Sequence, residues 1–173
     1  MKVRLKEYTQ TWKTMFEDEV KVLNAIFGNE IIVFEHFGST SIPGMKAKPV
    51  IDMMCIVRDI ERIDTYNEKM IELNYDVAGD WGITGRRLFR KGGENRTHHI
   101  HFYQIDNPHI ERHLIFRDYL LAHPEEVQKY SEFKENLAKK YESTSDYSPA
   151  KKAFVSGMEK NAIVWHKLRE AQK

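Results

Sequence analysis

Three groups of residues have the types and spacing to do chemistry. The first is Gly38-Ser39-Thr40-Ser41, placed directly after an apolar, β-branched run. A glycine at that point lets the backbone approach a ligand closely, and the amides and hydroxyls that follow are donors of the kind that cradle phosphate oxygens. Ordinary turns use the same residues. The second group centres on Asp52, thirteen residues beyond Ser39 and inside the apolar run "PVIDMMCIV". An unpaired carboxylate there would cost several kcal/mol or shift its pKa until neutral, so Asp52 needs a metal, a cation or donors. A solvated sheet end or an arginine partner would serve as well as a metal.

The histidines of "THHIHFY" belong with Asp52. Alternation along a strand puts His99, His101 and Tyr103 on one face and His98, Ile100 and Phe102 on the other. Beside the Asp52 strand, His99 and His101 would complete an O,N,N donor set for a divalent ion, suited to Zn, Mn or Fe more than to Mg. Standing apart, they are structural or exposed histidines. The third group is cationic: Lys46 and Lys48 after the Gly-Ser turn, then Arg86, Arg87, Arg90, Lys91 and Arg96. Arginine forks match phosphate bidentately, and Arg87 and Arg90 with Lys48 are candidates for an anion site. Charges guarding an edge strand explain Arg86 and Lys91 equally well. Of the residues before the turn, Glu35 and His36 point to opposite faces, and His36 is the one expected in the cleft.

These groups need elements to hold them. Trp12, Met15, Phe16, Val20, Leu23 and Phe27 recur at spacings of three and four, which predicts a helix over residues 9–27 stopped by Gly28. Strands are expected at 31–37 and 49–57, the second buried enough for a sheet centre, followed by a helix over 59–74 opened by Asp59. Residues 75–79, 86–91 and 97–104, separated by glycine-rich turns, read as an antiparallel meander. The remainder is helical, about 109–122, 124–141 from Pro124 and 149–171 from Pro149, with 142–148 as a loop. The expected architecture is an α/β core over residues 1–107 and a helical C-terminal part, 108–173, packed on it as one unit.

Composition narrows the partners. The 173 residues carry 27 Lys and Arg against 26 Asp and Glu, a net charge of +1, so nothing global draws the chain to nucleic acid. No stretch approaches the roughly 20 apolar residues that span a bilayer, and the first residues lack a signal peptide's apolar run, so a cytoplasmic protein is expected. The single cysteine, Cys55, lies in the apolar run and is expected to be a buried, inert thiol. Oligomeric state is not encoded in any of these features.

The motifs "EHFGSTSIPGMKAKPVIDM", "THHIHFY", "LIFRDYLLAHPE", "YSEFKENLA" and "YSPAKKAFV" resemble the GrpB family, over roughly residues 8–165. That family is similar to the nucleotidyltransferase superfamily, so the resemblance implies a nucleotidyltransferase-like mixed sheet flanked by helices. It implies that Gly38 and Ser39 correspond to the Gly-Ser turn that cradles a nucleotide triphosphate, and Asp52 to the first metal-binding carboxylate. The next acid of that pattern is replaced by Met54, and the third by His99 or His101. The resemblance therefore implies a reduced metal site taking Mg, Mn or Zn, with Asp52 and Ser39 as catalytic candidates. Gly38, Ser39, Thr40, Lys48, Arg87, Arg90 and Lys151 are the expected contacts to a nucleotide or phosphorylated small molecule. Arg117, Lys134, Tyr147 and Lys151, in segments that share the resemblance, are either ordinary helix-surface charges with an anchoring tyrosine or the cleft's other wall. Three functions follow: metal-dependent nucleotidyl or phosphoryl transfer, a catalytically silent binding module, or a buried hydrogen-bond network that only locks strands together.

Overall fold

The computed structural model describes residues 4–141 and 144–173. Helix α1 (Gln10–Phe27) opens at Thr9, whose hydroxyl accepts the amide of Thr11, and ends at Gly28. Five strands follow, β1 (Ile31–Phe37), β2 (Ile51–Val57), β3 (Tyr75–Gly79), β4 (Arg86–Lys91) and β5 (His98–Gln104), in the sheet order β1-β2-β5-β4-β3. β2 pairs antiparallel with β1 and parallel with β5, while β5, β4 and β3 form the expected antiparallel meander. The near-continuous apolar run of β2 thus sits between two neighbours, as a strand buried on both faces must.

The expected helix over 59–74 is broken into α2 (Ile60–Ile63), a 3-10 turn and α3 (Asn67–Glu72). The α-helices α4 (Pro108–Ala122), α5 (Pro124–Lys140) and α6 (Thr144–Ala171) complete the chain. The first two start at prolines, α5 at the expected Pro124 and α4 one residue before its expected start, with Asn107 capping α4. α6 differs: it begins at Thr144, so Pro149 lies inside the helix rather than in its first turn, and 144–148 is helical where a loop was expected. Residues 142 and 143 of that expected loop lie outside the described residues.

Two layers result, because the strands alternate. Met53, Cys55, Val57, Ile100 and Phe102 point to one face and pack with Trp12, Leu23 and Phe27 of α1. Asp52, Met54, Ile56, His99, His101 and Tyr103 occupy the other face, toward the C-terminal helices. Those helices have an apolar cluster of their own, in which Tyr119, Leu120, Tyr130 and Met158 enclose Ile42 and Met45 from the loop after the Gly-Ser turn. Cys55 is fully buried, and burial pushes its thiol well up, as an inert structural cysteine requires. No described helix is long and apolar enough to cross a membrane.

Candidate functional site

A cavity of about 360 Å³ opens between the second sheet face and α4, α5 and α6. Its floor follows from register. Phe37 pairs with Asp52 across β1 and β2, and Asp52 pairs with His99 across β2 and β5, so the end of β1, the aspartate and the histidine lie side by side. His101, two residues along β5, returns to the same face and brings Nε2 to 3.1 Å from Asp52 Oδ1; His99 Nδ1 lies 3.7 Å from the same oxygen. One ligand atom from each of the three residues falls within 4.8 Å of the others. Burial works to raise the Asp52 carboxyl, but the His101 hydrogen bond and the nearby His101, His99 and Lys151 charges outweigh it and hold the group below the usual range. Burial lowers His99, against the pull of Asp52.

These three residues fit a divalent ion in donor type. Metal–ligand bonds of ~2.0–2.2 Å place neighbouring ligand atoms roughly 3.3 Å apart around a tetrahedral ion, close to the two separations found. They do not suit two ions. Met54 is fully buried where a second acid would stand, and Glu35, on the same face, is held by Arg117 at 2.6 Å. No further cluster of three acids, histidines or cysteines occurs among the described residues.

Gly38 is needed here, chiefly because of Asp52. Its φ of +74° suits glycine, and a Cβ would sit 2.5 Å from Asp52 Oδ2. The chain then makes one 3-10 turn through Ser39, Thr40 and Ser41, with Ser41 Oγ donating to the Gly38 carbonyl at 2.6 Å. Thr40 is buried against His36 Nε2, 3.0 Å away.

The cations converge on this turn from three elements. Lys134 of α5, only 2% exposed, donates to Ser39 Oγ at 2.6 Å and to the Lys46 carbonyl at 2.8 Å, with its ammonium 4.1 Å from the Tyr130 ring centroid. Lys48 lies 5.4 Å over the ring of Tyr147, and Lys151 follows Tyr147 by one turn of α6. Burial lowers all three lysines. Lys151 falls to about 8, with Lys48 adding repulsion and Asp52 opposing, and Lys134 falls well below its ordinary value under burial and its two neighbours. Burial also pushes the Tyr147 hydroxyl up to about 12. A buried cluster of like charge of this kind calls for an anion.

The sequence reading is corrected at several residues. Arg87 points to the opposite face of the sheet and grips both carboxylate oxygens of Asp64, at 2.7 and 3.3 Å. Arg90 shares the His99 face, but its guanidinium stacks 4.5 Å from the Trp81 ring and does not line the cavity. Lys46 turns outward to an ion pair with Glu135. His36 faces α1, stacked on Phe16 at 4.9 Å, and it is Glu35 that shares the cleft face. Arg86 is 7% exposed, so it is neither an exposed edge charge nor a residue of the cavity lining; it stands behind His101, Nη1 3.4 Å from Nδ1. Gly38, Ser39, Thr40, Lys48, Asp52, His99, His101 and Lys151 do share one cavity, together with Lys134 and Tyr147. The central place of Lys134 had a signal: Val127, Tyr130, Ser131 and Lys134 form the buried stripe of α5 at helical spacing, and a lysine there has to meet something polar.

The comparisons agree with this layout. Residues 2–161 match the family model described as GrpB protein. The UPF0157 protein YqkA of Bacillus subtilis is 46% identical over 169 residues, 97% of this chain and 49% of its own length, so the chain spans about half of that relative. The glutamate-rich protein GrpB of Alkalihalophilus pseudofirmus is 33% identical over 159 residues, 88% of this chain and 91% of its own. The crystal structure of conserved protein GrpB from Enterococcus faecalis superposes with a TM-score of 0.90 at 39% identity, covering 94% of this chain and 99% of that one. With family model, relatives and solved fold in accord, this chain belongs to the GrpB family.

Proposed function

We propose that the cleft binds a phosphorylated small molecule, foremost a nucleotide, and supports metal-dependent nucleotidyl or phosphoryl transfer to a small acceptor. The observation that carries this reading is the gathering of Lys48, Lys134 and Lys151 in one cavity, with Lys134 on Ser39, next to Asp52 and its histidines. Ammonium groups in a dry cavity neutralise phosphate charge as point charges, and the Ser39 hydroxyl supplies a directional donor beside them. Tyr147 and Tyr130 offer apolar rings beside those charges. In such a transfer the acceptor oxygen forms a bond to phosphorus as the leaving phosphate oxygen departs. An ion held at Asp52 would act as a Lewis acid on the phosphoryl oxygens. The lysines would hold the phosphates in line and absorb charge on the leaving group.

A second reading is favoured by the buried Met54 and the captured Glu35: a binding module with the same cradle and no turnover. Thermal-shift measurements with nucleoside triphosphates, with and without Mg, Mn or Zn, test both. A ligand at 100 times its Kd adds about 2.7 kcal/mol of stability. Transfer predicts, in addition, release of the leaving group from labelled nucleoside triphosphate with candidate acceptors, pyrophosphate for nucleotidyl transfer or nucleoside diphosphate for phosphoryl transfer, abolished by Asp52→Asn. A thermal shift without release supports the silent module, and no shift with any nucleotide defeats both.

A further inference from the structure

His99 and His101 face the same carboxylate oxygen, but what stands behind them differs. Arg86 comes up behind His101. Its Nε donates to the Asp80 carbonyl at 3.2 Å and its Nη2 to the Trp81 carbonyl at 3.1 Å, which fixes the guanidinium against the turn before β4. Nη1 is then left 3.4 Å from His101 Nδ1. A guanidinium has donors and no acceptor, so His101 Nδ1 has to accept. The proton of the neutral ring consequently sits on Nε2, the nitrogen 3.1 Å from Asp52 Oδ1, and is donated to that oxygen. Phe37 closes the edge of the ring, its centroid 5.0 Å away.

Metal ligation by Nε2 would require the reverse. The lone pair would have to be on Nε2 and the proton on Nδ1, where it would meet Arg86 head-on. His99 carries no such restraint: among the described residues no donor hydrogen-bonds its Nδ1, the atom that faces Asp52.

We propose that His101 is a positioning residue, locked by Arg86 in the Nε2-protonated form to orient Asp52 by a hydrogen bond, and that a divalent ion in the cleft takes Asp52 and His99 as its protein ligands. The choice of ligands rests on the metal reading above; the Arg86–His101–Asp52 chain stands without it. A metal with two protein ligands keeps more positions for phosphate oxygens than one with three.

The experiment is nitrogen-detected NMR of histidine-labelled protein with and without Zn²⁺, the His101 signals being assigned by their loss in His101→Gln. Without metal, His101 should show a single form, protonated on Nε2, and Arg86→Gln should convert it to a mixture of tautomers while the other histidines stay unchanged. On adding Zn²⁺, His99 should move to a metal-bound position while His101 keeps its Nε2 proton. Loss of that proton on zinc binding overturns the proposal, as does a metal-free His101 protonated on Nδ1. Titration with Co²⁺ gives a second readout. His101→Gln, whose amide can still donate to Asp52, should hold the ion within about threefold of wild type, whereas His99→Gln should weaken it tenfold or more; equal losses overturn the assignment. Wild-type protein that binds no Zn²⁺ or Co²⁺ defeats the metal reading and the ligand assignment together, and the metal-free spectrum then decides the Arg86 lock alone.

Discussion

On the sheet face covered by α1, the buried Glu19 lies 3.2 Å from Lys91 Nζ and 3.7 Å from His98 Nε2, so a cation that enters the layer meets an acid. Arg87 on the same face is likewise held by Asp64. On the face covered by α4, α5 and α6, Lys134 binds Ser39 and lines one cavity with Lys48 and Lys151, and no carboxylate among the described residues lies within ion-pair distance of any of the three lysines. The first face is an apolar core with its charges neutralised. The second is an apolar wall around charges left for something else. A protein tolerates that only where a ligand or water compensates it, because stranded buried charge is costly.

The contrast is broken most severely by attacking the first face. Phe27→Ala removes a fully packed ring that touches Tyr66 at 4.6 Å and Phe102 at 4.8 Å between centroids. We expect a loss of about 3–5 kcal/mol in chemical denaturation. Phosphate-ligand affinity of the folded protein should be unchanged, because the ring lies across the sheet from the cavity. An affinity loss in calorimetry would show that the two faces are not separable. Glu19→Gln is the milder version. It leaves Lys91 and His98 without their charge partner, and stability should fall by about 1–3 kcal/mol, again with no change in ligand binding.

Lys134→Met probes the second face and should have the opposite signature. The substitution replaces a desolvated ammonium by an apolar chain of similar length, so melting temperature should hold or rise, as when buried charges give way to well-packed apolar groups. Nucleotide or inorganic phosphate affinity should fall tenfold or more, about 1.4 kcal/mol. A variant that loses stability but keeps its affinity would make Lys134 a structural cation, paired to Ser39 Oγ and the Lys46 carbonyl for the sake of the fold.

The two faces also differ in how far they could be read from sequence. Strand alternation alone separates His99 and His101 from His98, Ile100 and Phe102, and the apolar run of β2 announces a central strand. Placing Asp52 beside His99 needs the parallel β2–β5 pairing, which no local pattern encodes, since the two strands are separated by the helical turns and two of the meander's three strands. Arg87 and Arg90 were misplaced for a related reason. Neighbours on a strand face opposite ways, and only the register against β5 decides which arginine shares the face of His99. Lys134 was legible as a candidate for the cleft's other wall, but its partner Ser39 lies 95 residues away. Gly38 was legible as a turn glycine after a strand, whereas the approach of Asp52 Oδ2 that requires it was not.

The smallest expected effect separates the faces by pH. Lys151, held at about 8 by burial and by repulsion from Lys48, is an ammonium below that pH and neutral above it. A phosphomonoester reaches its dianionic form above its second pKa of about 6, so attraction is greatest between about pH 6 and pH 8. Raising the pH from 7 to 8.5 takes the protonated fraction of a group with that pKa from about nine-tenths to about a quarter, a loss of affinity of about fourfold. The fall belongs to the cation and not to the ligand, whose charge no longer changes in that interval. Lys151→Arg keeps its charge throughout and should reduce the fall, while Lys91 on the other face can be changed to Gln without altering it. A profile that falls equally in wild type and Lys151→Arg would remove Lys151 from the anion site and leave Lys48 and Lys134 to hold the phosphate.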